Sequence, residues 1–298
     1  MSDLLKIKVP ATSANLGIGF DSMGIAVDKF LEIEAQPHED WLVTFQSPEL
    51  EMLPAGAENL VIQVAQKVAR QYNRSLEPLH LHMTSEIPLT HGLGSSASAI
   101  VAGVELANHY CQLELSTYDK VRLGSAVEGH PDNIGPCVTG GLFVGYYQAG
   151  DARHPEELYY EVMDLERVTL IVSVPGYEIS TSDAREILPG HYNRQEMAKQ
   201  NAVSSLMLLA SMKKDYDKMG ELMMKDLIHE PYRQILIPEF TPLKELTLNL
   251  GAYATVISGA GPTLLTLCHE DDVSNILEAL EVSFPSCSHE EVQVVPSR

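Results

Sequence analysis

The segment Ile87-Pro88-Leu89-Thr90-His91-Gly92-Leu93-Gly94-Ser95-Ser96-Ala97-Ser98 constrains this chain more than any other. Gly92 and Gly94 let the backbone approach a ligand with no Cβ in the way. Ser95 and Ser96 follow where a helix of small residues begins, able to cap it or to present hydroxyls outward. The unpaired N–H groups of a first helical turn, with the helix dipole behind them, form an anion site. The fold must therefore carry a glycine loop and a helix N-terminus to the edge of a cleft.

Three readings of the segment compete. A Walker A loop needs a lysine after its last glycine, and no lysine lies between Lys67 and Lys120. A dinucleotide fingerprint is formally present as Gly92-x-Gly94-x-x-Ala97. It fails on context, because the preceding strand alternates polar and apolar residues and the intervening loop contains Pro88 and His91. A phosphate loop and a glycine-rich turn that holds no ligand remain, and the segment alone leaves both open.

The rest of the chain reads as mixed strands and helices. Lys6–Val9 and Phe30–Ala35 read as strands flanking a loop of small and polar residues, Pro10–Gly24. Asn59–Tyr72 has helical spacing, with Leu60, Val64 and Val68 on one stripe. Leu79–Met83 alternates as a half-buried strand, and Ser96–Tyr110 is the small-residue helix. A polar cluster over Gly150–Glu157 marks a boundary, giving domains at 1–155 and 156–298. Beyond it, Val168–Val174, Tyr253–Ile257, Leu264–Cys268 and Val292–Val295 read as strands. Gln195–Met212 and Lys218–Ile228 read as amphipathic helices, and Asp272–Leu280 as a further helix. The elements do not follow strict βαβ alternation, which indicates an α+β fold.

Composition narrows the partners. A formal net charge of -21 excludes a nucleic-acid backbone, which is bound by a basic face. Any phosphate must then be held locally, by backbone N–H groups, a metal ion and a few placed cations. Cys111, Cys137, Cys268 and Cys287 show neither CxxC spacing nor a metal pattern, as expected of reduced thiols filling a core. His80 and His82 share one strand face but have no third ligand nearby. The opening MSDLLKIKV lacks the apolar core of a leader, and no stretch approaches ~20 apolar residues, so a cytoplasmic location is expected.

Three separated segments then coincide with one family. Pro10-Ala-Thr-Ser-Ala-Asn-Leu-Gly-Ile-Gly-Phe-Asp21, Pro88 through Ala97, and Ile257-Ser-Gly-Ala-Gly-Pro-Thr263 resemble, in order, the three motifs of the GHMP kinases. Within that superfamily the wording resembles the homoserine kinase family, through Asn15, Asp21 and the run His130-Pro-Asp-Asn133 ahead of Gly140-Gly141. The resemblance implies a two-domain fold, an N-terminal domain like ribosomal protein S5 domain 2 followed by a ferredoxin-like one. It implies ATP and Mg²⁺ as cofactors, homoserine as acceptor, a step of threonine biosynthesis, and a homodimer.

The resemblance also assigns roles. Residues 88–98 would hold the nucleotide phosphates, and Ser96 and Glu128 would share Mg²⁺, a hard cation that takes few protein oxygens. Arg185 and Arg233 would hold the substrate carboxylate in bidentate geometry. Asp21 and Asn15 would receive its ammonium, with His130, Thr181 and Gly259 lining the same ligand. Asn59, Leu60 and Val61 are candidates for the adenine. Mevalonate- and galactose-type relatives place an aspartate where this chain has Asn133. A carboxamide does not act as a general base, so the substrate hydroxyl is expected to lose its proton to the γ-phosphate, directly or through water. Two alternatives stand beside this reading: a sibling kinase acting on shikimate or mevalonate, and a GHMP-fold binding protein without activity.

Overall fold

The computed structural model describes residues 4–298; the first three residues of the opening stretch read for a leader lie outside them. The N-terminal half comprises β1 (Leu5–Ala14), β2 (Met23–Pro37), β3 (Leu42–Phe45), α1 (Leu60–Gln71), β4 (Leu79–Ser85), α2 (Ser95–Tyr110), α3 (Thr117–Glu128), α4 (Ile134–Thr139), β5 (Leu142–Gln148) and β6 (Glu157–Met163). Its sheet runs β3-β4-β2-β5-β6, with β1 paired to the other edge of β2. Only the β3–β4 contact is parallel. The C-terminal half comprises β7 (Thr169–Pro175), α5 (Thr181–Glu186), α6 (Arg194–Met212), α7 (Tyr216–Met223), α8 (Glu230–Arg233), α9 (Phe240–Asn249), β8 (Ala254–Ile257), β9 (Leu264–Cys268), α10 (Val273–Ser283) and β10 (Cys287–Val292). Its antiparallel sheet runs β10-β7-β9-β8. The architecture is the expected α+β.

Packing explains why α2 is built of small residues. A Cβ at Gly103 would lie 2.6 Å from the Val61 carbonyl oxygen of α1, so α1 and α2 approach as closely as two helices do when one presents no side chain. Asn59 caps α1 by accepting a hydrogen bond from the Val61 N–H. Cys111, Cys137 and Cys268 are buried free thiols and Cys287 is half-buried. Among the described residues no helix is long and apolar enough to cross a membrane.

Several expectations are corrected. The segment Pro10–Gly24 is not a loop throughout. A bulge between Pro10 and Ala11, where proline has no N–H for the ladder, shifts the register. Pairing then continues from Ala11↔Val27 to Ala14↔Gly24, leaving only residues 15–22 as loop. The polar stretch Gly150–Glu157 joins neighbouring antiparallel strands, because Glu157–Met163 pairs with Leu142–Gln148. The chain therefore passes to the second sheet after Met163, not at 155. Val292–Val295 is split: β10 ends at Val292, and Val294 bridges back to Val27 of the first sheet. The helix expected over Lys218–Ile228 stops at Met223, since the Asp226 carboxylate takes the N–H groups of Ile228, His229 and Glu230 and starts α8 instead. Finally, α6 is not amphipathic: Met207 and Ala210 are buried while Leu206, Leu209 and Met212 face solvent.

One buried acid links α8 to the second sheet. Glu230 is 4% exposed, and its Oε1 accepts a hydrogen bond from the Ile257 N–H at 2.7 Å. Burial pushes its carboxyl up to about 8. Between the ordinary carboxyl range and about 8, the folded chain therefore holds a proton that the unfolded chain releases. Stability falls as pH rises through that window, by up to about 1.4 kcal/mol per pH unit, and the fall levels off above it. Glu230→Gln keeps the acceptor for Ile257 without the titration. Urea midpoints at pH 5.5 and 7.5 are expected to differ less in that variant than in the wild type.

Candidate active site

A cavity of about 160 Å³ lies where the β1–β2 loop, the N-terminus of α2, the turn after α3, the start of α5 and the β8–β9 loop converge. Its lining contains Asn15, Asp21, Thr90, Gly92, Gly94, Ser95, Ser96, Ala97, Glu128, His130, Asn133, Thr181, Arg185, Arg233 and Gly259, all expected from the sequence. Asp132, Ile179, Ala260 and Gly261 line it as well.

The β1–β2 loop is held in sparsely populated backbone conformations. Asn15, Leu16 and Gly17 have φ of 71°, 46° and 70°, and Asp21 has φ of 56°. Left-handed non-glycine residues cost of order 1–3 kcal/mol each and persist where their surroundings fix them. Here the fixing group is Asn15: its Oδ1 accepts the Asp21 N–H at 3.0 Å and its Nδ2 donates to the Gly259 carbonyl at 2.9 Å. Asp21 is thus aimed by the same side chain that anchors the β8–β9 loop.

The glycine loop needs both glycines. Gly94 has φ of 71°, and a Cβ there would stand 2.1 Å from Thr12 Oγ1; at Gly92, with φ of 82°, it would stand 2.4 Å from the Ser258 carbonyl oxygen. Gly94 is the N-cap of α2 and has no side chain to satisfy the first turn, whose first intrahelical backbone bond is Ser98 N–H to Gly94 O at 2.9 Å. The N–H groups of Ser95, Ser96 and Ala97 are left for a ligand at the positive end of a sixteen-residue helix. Two expected loop residues turn away: Leu93 is buried, and the Ser98 hydroxyl donates to Pro10 O and Gly94 O. Pro88, Leu89 and His91 form the outer arm, with His91 Nδ1 bonded to Leu89 O, and do not line the cavity. Neither do Asn59, Leu60 and Val61, the adenine candidates, of which Asn59 is occupied in capping α1.

The end of α3 and the turn after it supply Glu128, His130, Asp132 and Asn133 to the lining. Burial raises the pKa of the Glu128 carboxyl, against the opposing pull of His130 and a hydrogen bond from Ser96. Two hard oxygens, adjacent and open to the cavity, with one carboxylate short of solvation, are a fitting donor pair for a small divalent cation. Asp132, 2% exposed, accepts from His130 Nδ1 and, at 2.8 Å, from the Asn133 N–H. Burial by itself would lower the His130 pKa, but its hydrogen bond and charge interaction with Asp132 outweigh that and raise it. Asn133 Oδ1 accepts from Thr12 Oγ1 at 2.8 Å. The amide oxygen carries that one bond, and Nδ2 donates to Asp132 Oδ1 at 3.4 Å, so Asn133 is a bonded carboxamide in the lining and not a basic group.

The charged end of the cavity differs from expectation. Arg185 and Asp21 are bonded to each other in a bidentate pair, Nη2 to Oδ1 at 2.8 Å and Nη1 to Oδ2 at 3.2 Å. Arg233 is 2% exposed, and its Nε and Nη1 donate to the carbonyls of Ala184 and Gly259 at 3.0 and 2.9 Å. With Nη1 also 3.4 Å from His229 Nδ1, two of its three nitrogens are engaged within the protein, which removes the two-nitrogen fork expected of it. Burial, with the neighbouring Arg185, lowers its pKa to about 10. The Phe20 ring carries both guanidinium groups, 5.6 and 5.3 Å from its centroid, and stacks on buried His229. Beside this, ligating atoms of Asp21, His130 and Asp132 lie within 4.8 Å of one another, an acidic corner suited to a cation.

Sequence reading missed Asp132 as a lining residue although it sits inside the His130–Asn133 run. Thr12 and Phe20 gave no signal, since a hydroxyl and a ring in a loop of small residues have no chemistry until their neighbours are known.

Comparison with known proteins gives the family. Residues 59–141 match the GHMP kinases N terminal domain, and residues 207–285 match the GHMP kinases C terminal. A homoserine kinase of Staphylococcus haemolyticus is 41% identical over 292 residues, covering 97% of this chain and 94% of its own. One from Bacillus pumilus is 39% identical over 286 residues, covering 96% and 90%. The crystal structure of homoserine kinase from Cytophaga hutchinsonii superposes with a TM-score of 0.83 at 27% identity, covering 100% of this chain and 96% of that one. The mevalonate kinase of Methanococcus jannaschii shares the fold, with a TM-score of 0.72 at 15% identity over 98% of both chains. With relatives of that identity along nearly its whole length, and the three glycine loops meeting at one cavity, the chain belongs to the homoserine kinase family of the GHMP kinases.

Proposed function

We propose that this protein transfers the γ-phosphoryl group of ATP to the side-chain hydroxyl of L-homoserine, forming O-phospho-L-homoserine in the cytoplasm as a step of threonine biosynthesis. The observation that carries the substrate class is the Asp21–Arg185 pair beside the N-terminus of α2. An α-amino acid is a zwitterion. It replaces one ion pair with two, its carboxylate taking Arg185 and Arg233 Nη2, and its ammonium taking Asp21 in the acidic corner with Asp132. Charge balance is kept throughout. A monoanion such as mevalonate or shikimate would occupy Arg185 and leave Asp21 without its partner, which is unfavourable in a partly desolvated site.

Phosphoryl transfer asks for positioning and charge neutralisation more than for covalent chemistry. The free N–H groups of residues 95–97 and the glycine loop hold the triphosphate. Ser96 and Glu128 would hold Mg²⁺, which when bound neutralises charge on the phosphate oxygens. Asn133, its oxygen committed to Thr12, donates to the acceptor oxygen or to the transferring group and orients it. It takes no proton, so the hydroxyl proton passes to the γ-phosphate as the loose transition state develops. His130, held by Asp132, lines the acceptor side. A binding protein without activity would have no use for a carboxylate kept poised beside Ser96.

Three outcomes are expected. In a coupled ADP assay with magnesium-ATP, homoserine supports turnover while shikimate and mevalonate do not; turnover with either of the latter in place of homoserine overturns the assignment. Arg185→Ala raises the KM for homoserine about 10- to 100-fold, the worth of a charge-assisted pair, with a smaller change in the KM for ATP. The pH profile of kcat/KM falls on the acid side above the ordinary carboxylate range, because Glu128 must be ionised to hold a cation and its carboxyl is raised. That limb persists in Asp132→Asn. Its disappearance there would mean that a carboxylate does accept the hydroxyl proton.

A further inference from the structure

We infer that His229 is a positioning residue for the acceptor site, a role that rests on the zwitterionic substrate proposed above. Its one ring fixes Arg233 and the β1–β2 loop relative to each other, and so sets the spacing of the charges that receive the substrate. His229 immediately precedes α8 and lies one helical turn before Arg233, which brings the two side chains onto one face. It is fully buried and does not line the cavity.

The two ring nitrogens have opposite duties. Nδ1 lies 3.4 Å from Arg233 Nη1, and Nε2 lies 2.7 Å from the Gly17 carbonyl oxygen. A guanidinium only donates and a carbonyl only accepts. Both bonds exist together in a single form of the ring, the neutral tautomer with its proton on Nε2. Charging the ring would turn an Nδ1–H against Arg233. The surroundings favour the neutral form: burial lowers the pKa of the imidazole against the pull of Asp226, and Arg233 adds to the fall. Nor does the Asp226 carboxylate offer the ring a hydrogen bond. Its Oδ2 stands 3.8 Å from Nε2 and takes the His229 and Glu230 N–H groups, while Oδ1 takes the Ile228 N–H and Gln200 Nε2.

These contacts join the two sides of the acceptor site. On one side, Arg233 Nη1 is shared between His229 Nδ1 and Gly259 O, which with Nε on Ala184 O fixes the plane of the guanidinium. On the other, Gly17 belongs to the left-handed run that leads through Phe20 to Asp21. The Phe20 ring stacks on the imidazole at 5.5 Å with an interplanar angle of 29°, beneath Arg185 and Arg233. No rotatable bond separates the two ring nitrogens, so the loop and Arg233 keep one separation. A zwitterion needs its anionic and cationic receivers at a fixed distance, and His229 is the rigid group between them. Gln200 of α6 holds the assembly from behind: Nε2 donates to Ile18 O at 2.9 Å and to Asp226 Oδ1 at 2.8 Å, and Oε1 accepts the Leu227 N–H at 3.0 Å.

Nitrogen NMR of the full chain, isotope-labelled at its histidines, tests the tautomer without any substitution. His229 is the one buried histidine among the described residues, so its ring N–H is the slowest to exchange with solvent. That proton is expected on Nε2 with Nδ1 bare; a proton on Nδ1 overturns the inference. His229→Phe keeps a stacking ring and removes both bonds. It is expected to raise the KM for homoserine about 10-fold, with kcat and the KM for ATP within about threefold of wild type. His229→Gln, whose carboxamide again carries a donor and an acceptor, is expected to recover most of that loss. A residue with only a structural role would, on substitution, lower the amount of active protein and leave the KM alone. A His229→Phe enzyme with the wild-type KM for homoserine, or a His229→Gln enzyme no better than it, overturns the inference while the proposed activity stands. Absence of homoserine turnover in the wild type instead strikes that activity, and the positioning role with it.

Discussion

Much of the site depends on a single carbonyl oxygen, that of Gly259. It accepts hydrogen bonds from Asn15 Nδ2 at 2.9 Å and from Arg233 Nη1 at 2.9 Å, while the Gly259 N–H donates to Ala14 O at 3.0 Å. One residue earlier, Ser258 Oγ donates to Gly92 O at 2.6 Å. The β1–β2 loop, the glycine loop, α8 and the β8–β9 loop therefore share one hydrogen-bonded knot, contributed by residues far apart in sequence. Each partner is largely buried, so losing one strands the others at the full desolvation penalty of an unmade bond, about 1–3 kcal/mol. Precision at the site follows from this, and the left-handed residues at 15–17 are held further by the Asn15 N–H on Met23 O, the Gly19 N–H on Asn15 O and the bond between Gly17 O and His229 Nε2.

Charge is distributed by the same logic. The chain is strongly acidic overall, yet its cavity brings two arginines and an uncapped helix terminus together where anions must sit. Phe20 supports both guanidinium groups on one ring, and Arg233 is fixed by main-chain carbonyls, not by a carboxylate, so its charge stays available to a ligand. Asp21 is the exception, its carboxylate committed to Arg185. The amide of Asn133 shows how an orientation is set by neighbours: Thr12 donates to its oxygen and its Nδ2 donates to Asp132.

The sequence disclosed those parts of the site whose chemistry is local. Glycines at 92 and 94, serines beyond them and the polar run at 130–133 need only their immediate neighbours to be read. What pairing decides was hidden. Nothing in the residues 10–14 announces a strand, because Ala11, Thr12, Ser13 and Ala14 are buried through pairing with β2 across a bulge at Pro10 and through α2 and α4 packed on β1. The polar cluster at 150–157 looks like a linker and is a hairpin turn, since β6 belongs to β5 by register and not by composition. Likewise the role of Asp226 in starting α8, and that of Arg233 in holding the Gly259 carbonyl beside the ligand role expected of it, exist only in three dimensions.

The return of the chain's last described residues to the first sheet has an effect on how the protein comes into being. Val295 exchanges backbone bonds with Ala26 and Gly141, and Ser297 donates to Asp164, so the edge between β2 and β5 is sealed by residues 293–298. During synthesis the N-terminal half emerges first but lacks this seam until residues 293–298 follow it. Its glycine loop is then assembled around an incomplete sheet, and the two halves must reach their final order together instead of one after the other.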